Sequence, residues 1–193
     1  MTDPIPSAPK RPQEITTHGD TRVDPWFWLR NVEDLATLEY LRAENAHTEA
    51  VMAPEAELQD SLFMEMRERI KEDDSTVPQK EGEYYYYTRF EEGKQYPIHC
   101  RKRGSPDGPE EILINVNELA ESKDYCRVGS WENSPDHKWL AYSVDDDGSE
   151  QYTIVIKNLE TGGLLAETIL NSYYSLEWAN DNRTIFYDVL DEN

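Results

Sequence analysis

The apolar positions of this 193-residue chain change their period near residue 75. Upstream they recur at helical spacing. Leu35, Leu38, Leu41 and Ala46 fall near one face of "VEDLATLEYLRAENAHTEAVM". Leu58, Leu62, Met66 and Ile70 return every fourth residue in "PEAELQDSLFMEMRERIKEDD". Asn31 can cap the first of these segments, with Asp34 three residues later in a loose capping box. Pro54 suits the first turn of the second, because its missing N–H costs nothing there. Two helices are therefore predicted over residues 31–73, the stripe on the second serving ordinary packing.

Downstream of "DDSTVP" the runs become short, rich in β-branched and aromatic residues, and separated by turn residues. They are "EYYYYTRF", "QYPIHCRK", "EILINV", "KWLAYSV", "QYTIVIKNL", "LLAETIL", "SLEW" and "RTIFYDV". These runs repeat. Gln95–Tyr96 aligns with Gln151–Tyr152 at an offset of 56, Trp131 with Trp178 at 47, and Tyr142 with Tyr187 at 45. A self-similar unit of about 45–55 residues with four short strands predicts a β-propeller blade. The spacers at Ser134–Asp136, Ala179–Asp181 and Leu159–Gly163 then read as hairpin turns. The third unit offers two strands before "VLDEN", so about two and a half blades are present. The expected organisation is an α+β fragment: an extended arm over 1–21, a helical segment over 22–74 and an incomplete β-propeller over 75–193.

Charge narrows the partners. The formal net charge is −21 and is uneven: residues 31–74 carry 13 acids against 4 bases, and residues 127–193 the same. This disfavours nucleic acid and anionic membrane as partners and permits attraction of basic peptides. The competing reading is an acidic surface that only aids solubility. The two cysteines, Cys100 and Cys126, have neither a disulfide framework nor metal spacing. With no apolar run at the N-terminus, reduced thiols and a cytoplasmic location are expected.

Catalytic signals are missing. There is no G-x-S-x-G, P-loop, G-x-G-x-x-G or H-E-x-x-H. His18, His47, His99 and His137 lie on separate elements. The acidic turn Asp145–Gly148 fails as a calcium loop, because the first ligand and the bidentate acid would be Ser143 and Ile154. No catalytic, cofactor-binding or metal residue is assigned, and no cofactor is expected. One stretch still demands a partner. "RVDPWFWLRN" sets Trp26, Phe27, Trp28 and Leu29 side by side in an acidic chain. They are candidate interdomain contacts, the alternative being local packing around the two helices.

Several blocks are similar to one family. "RVDPWFWLRN", "YLRAENAHTEAVM", "RIKEDDSTVPQKEGEYYYYTRFEEGKQYPIHCRK", "SPDHKWLAYSVDDDGSEQYTIVIKNLETG" and "EWANDNRTIFY" resemble, in order, the N-terminal portion of oligopeptidase B. That family belongs to the prolyl oligopeptidase group of serine peptidases. Trp28–Leu29–Arg30 resembles oligopeptidase B in particular; prolyl oligopeptidases usually place an acid after the Leu. The resemblance implies a seven-bladed propeller covered by an α/β-hydrolase domain. It also implies cleavage of short peptides after Lys or Arg without metal or organic cofactor, the propeller limiting substrate size. The family's Ser, Asp and His triad lies in the C-terminal hydrolase domain, and no residue here matches it. The implied partners are that missing domain, onto which Trp26 to Leu29 would pack, and short basic peptides in the complete enzyme. The alternative is a stand-alone, non-catalytic interaction module. An in-frame continuation past the codon for Asn193, with further blades and a G-x-S-x-G, would decide between them.

Overall fold

The computed structural model describes residues 5–191. The first and last residues of the sequence, including the end of "VLDEN", lie outside them. The chain divides into two compact units, residues 1–70 and 71–193.

In the first unit the arm does not stay extended. Strands β1 (Gln13–Thr17) and β2 (Asp20–Asp24) form an antiparallel hairpin. His18 and Gly19, both at positive φ, make its two-residue turn. A 3-10 turn over Phe27–Arg30 follows. Helix α1 (Leu35–Met52) begins at Asp34, not Asn31: the Asp34 carboxylate accepts from the Ala36 N–H at 2.9 Å. Asn31 instead closes the 3-10 turn, and its side chain accepts from Glu33. A short 3-10 segment, Ala53–Glu55, holds Pro54 in its first turn and leads directly into α2 (Ala56–Glu68). The stripe expected to pack is uncovered among the described residues. Leu58, Leu62, Met66 and Ile70 are all exposed. A sequence period identifies an apolar face but not its cover.

The second unit holds two antiparallel sheets. Strands β3 (Gln79–Glu81), β4 (Tyr84–Arg89), β5 (Ile98–Arg103) and β6 (Glu110–Asn115) pair in sequence order. A short helix, α3 (Val116–Leu119), was not apparent from the sequence; Asn115 caps it. The second sheet runs β7 (Arg127–Asn133), β8 (Trp139–Asp145), β9 (Tyr152–Asn158), β10 (Ile169–Trp178) and β11 (Ile185–Val189). The runs "LLAETIL" and "SLEW" were expected as separate strands. All of "SLEW" but only Ile169 and Leu170 of "LLAETIL" join in the ten-residue β10, which pairs with β9 through Ile169 and Ser172 and with β11 through Ser172 and Leu176 to Trp178. Its two halves thus end one blade and begin the next.

The structure also shifts the repeat. Trp131 pairs with Tyr142, and Leu176 pairs with Tyr187. The turns that follow β7 and β10 close through Ser134 N–H to Trp139 C=O and Ala179 N–H to Thr184 C=O. The counterpart of Trp131 is therefore Leu176, at an offset of 45, and not Trp178.

Burial follows from blade stacking. One core joins Tyr86, Leu113, Ile114 and Val116 to Leu140 and Tyr142. Another joins Ala141 and Ile154 to Leu176. Neighbouring residues of β8 enter opposite cores, because successive side chains point to opposite faces. Hence β8 is buried almost continuously, whereas Phe186, Tyr187 and Val189 of β11 stay exposed. Gly129 has a specific reason. It lies within the irregular pairing of β7 with β8, and an added Cβ would stand 2.7 Å from both Tyr152 and Tyr174. Glycine lets β10 pass close to β7.

Candidate functional site

The aromatic loop is set by its own backbone. Asp24 accepts from the Trp26 N–H at 2.9 Å, and the Leu29 N–H donates to the Trp26 carbonyl at 3.0 Å. Trp26 is 44% exposed, while Phe27, Trp28 and Leu29 are half-buried. The Trp26 indole donates to the Ala8 carbonyl at 3.3 Å, and the Trp28 indole to Pro9 at 3.0 Å. Lys10 lies 5.6 Å over Trp26, Arg11 4.3 Å over Trp28, and Arg30 4.7 Å over Phe27. On the helix side, the hydroxyl of buried Thr37 reaches the Trp28 carbonyl at 3.5 Å. The arm as an occupant of this loop was missed from sequence, because a proline-rich run carries no periodic burial signal.

A second candidate region lies at the edge strands β3 and β7 of the second unit. A cleft of about 550 Å³ is lined by Glu81 of β3, Tyr86, and Ser130, Trp131 and Glu132 of β7. Glu132 and Glu177 hold the same repeat position, opposite Ala141 and Phe186. Among the described residues none of the three glutamates is in an ion pair. Burial, then Glu177 and Glu81, push the Glu132 carboxyl up to about 7. A carboxyl raised in the folded state holds its proton where the unfolded chain has lost it. Its stabilising contribution is full below about 4.5 and vanishes as pH rises through 7. His99 acts in the opposite sense. Burial lowers it to about 4, so its contribution is full above about 6.5 and is lost as pH falls towards 4. Replacement by Glu132→Gln is therefore expected to raise Tm by a few degrees at pH 8, with the gain shrinking towards pH 5. Thermal melts of both proteins across this range check it; a gain equal at both ends would refute the titration.

His99, His137, Arg101 and Asp145 are committed to structure. His99 Nδ1 meets the Thr88 hydroxyl at 2.9 Å, with its ring 4.9 Å from Trp131. His137 Nδ1 meets the Tyr86 hydroxyl at 2.8 Å. Buried Arg101 grips Glu111 at 2.7 and 2.9 Å, donates to the His137 carbonyl at 2.8 Å, and lies 4.2 Å over Tyr84. Asp145 is buried and accepts from the N–H groups of Asp147, Gly148 and Glu150. It shapes its turn, while Asp146 pairs with Lys123 at 2.8 Å. No group of three or more His, Cys, Asp or Glu suited to a metal ion occurs among the described residues. Cys100 and Cys126 are free and buried. No described helix is long and apolar enough to cross a membrane.

Against this geometry stands a match, over residues 6–193, to the family model of the prolyl oligopeptidase N-terminal beta-propeller domain. The chain belongs to that family. It is 42% identical over 200 residues to dipeptidyl aminopeptidase BI of Pseudoxanthomonas mexicana, covering 94% of this chain and 28% of the relative. It is 36% identical to protease 2 of Moraxella lacunata over 98% of this chain and 28% of that one. Among solved structures, oligopeptidase B of Leishmania major superposes with a TM-score of 0.90 at 33% identity, covering 100% of this chain and 30% of that chain. The chain thus spans little more than a quarter of its curated relatives' length. The match lies within the N-terminal beta-propeller domain of the family.

Proposed function

We propose that this chain is the N-terminal and propeller segment of an oligopeptidase B-like serine endopeptidase that cleaves short peptides after Lys or Arg. The observation that carries the reading is the likeness to oligopeptidase B along the whole chain at a TM-score of 0.90. In the complete protein the propeller restricts access to small substrates. Trp26, Phe27, Trp28 and Leu29 contribute to the contact with the hydrolase domain; Trp26 retains exposed ring surface for it. The acidic surface draws in basic peptides as a diffuse field. Within the acidic turn that role falls to Asp147 and Glu150, since Asp145 is buried and Asp146 is paired.

The segment alone is expected to be inactive, because among the described residues no serine or cysteine is hydrogen-bonded to a histidine base. Purified chain is assayed on fluorogenic peptides with Lys, Arg or Pro before the reporter. Turnover that survives repurification and is abolished by a serine-directed inhibitor would overturn the inactivity. The longer protein carrying this segment should prefer Lys and Arg, and a preference for Pro would overturn the specificity.

A further inference from the structure

The contacts of the aromatic loop have the chemistry of peptide recognition. Residues 5–12 read Ile-Pro-Ser-Ala-Pro-Lys-Arg-Pro, with Pro6, Pro9 and Pro12 spaced by three. Three residues per turn is the period of the polyproline II helix, and in that conformation these prolines would share one face. A proline-rich strand forms few backbone bonds within itself, and its carbonyls stay open to outside donors. Trp26 and Trp28 supply such donors to the consecutive carbonyls of Ala8 and Pro9. The same two rings receive the cations of Lys10 and Arg11. The Arg11 N–H donates to the Pro25 carbonyl at 2.8 Å, which fixes the register. Aromatic-lined grooves with indole donors are the usual receptors for proline-rich strands.

We propose that Trp26 and Trp28 form a clamp for a proline-rich, basic strand, and that residues 5–12 are its tethered, releasable ligand. Release is feasible because the strand buries little. Ile5, Ser7 and Pro9 to Pro12 are exposed, and no side chain of the strand is buried. The tether compensates: a short linker supplies the ligand at millimolar effective concentration. The clamp does not depend on the peptidase reading, since every contact lies within the first unit.

The test uses the 193-residue chain labelled with 5-fluorotryptophan. Its five tryptophans should give five fluorine resonances. Those of Trp26 and Trp28 are assigned with Trp26→Phe and Trp28→Phe. Deleting residues 2–11 should shift these two resonances and leave those of Trp131, Trp139 and Trp178 in place, which reports an intact propeller unit. A synthetic peptide of residues 5–12 should return the two resonances saturably, at high micromolar to millimolar concentration. The same peptide with Arg11→Ala should bind roughly three- to fivefold more weakly, as expected for one exposed cation–ring contact. If the deletion perturbs folding, full-length Pro9→Gly with Arg11→Ser replaces it, and peptide in trans should still displace the weakened arm. Resonances unmoved by deletion would overturn the clamp. So would a shift that neither peptide reverses, or equal restoration by a scrambled peptide with its prolines out of period.

Discussion

Truncating Leu140 to alanine is expected to destabilise the propeller unit by about 2–5 kcal/mol, the usual range for emptying a closed core site. Leu140 is fully buried on β8 and lies in the core with Tyr86, Leu113, Ile114 and Tyr142. Its neighbours come from both sheets, so no single strand can relax into the space without disturbing its own pairing. Chemical denaturation of Leu140→Ala beside Leu170→Ala provides the comparison. Leu170 is 64% exposed on β10, and its truncation should change stability by about 0.5 kcal/mol or less. A difference below about 1 kcal/mol between the two variants would mean that the sheets do not share a packed core.

The second large effect concerns the buried guanidinium of Arg101. Its side chain is 5% exposed, whereas that of Glu111 is 42% exposed. This asymmetry predicts an ordering of variants. Glu111→Ala removes the anion from a buried cation and leaves it the His137 carbonyl, the Tyr86 hydroxyl and the Tyr84 ring, and should cost about 3 kcal/mol. Arg101→Met leaves Glu111 free to rehydrate and fills the space with an apolar chain. The remaining loss is mainly the partner of the His137 carbonyl, and about 1–2 kcal/mol is expected. Urea denaturation of both variants checks the order. The reverse order, or two negligible effects, would show that the pair behaves as an ordinary surface ion pair.

The amino-acid sequence alone determined much of the architecture. The change of period near residue 75 separates helices α1 and α2 from the blade strands, and the self-similar runs identify blades, because side-chain periodicity is a local property of each element. The acid excess and the absent nucleophile motif could likewise be read directly. The tertiary structure decided what depends on neighbours. It moved the helix cap from Asn31 to Asp34, since both residue types can cap and only the backbone selects one. It realigned Trp131 with Leu176, because cross-strand pairing, not residue identity, sets the register. Two equally polar-looking acids were separated in the same way: Asp145 turns inward to hold three N–H groups, while Asp147 lies beside it in the same turn. The arm that meets Trp26 and Trp28 is 18 and 19 residues away along the chain. A proline strand has no side-chain period of burial that points to its receptor, so that contact emerged only when the chain folded back.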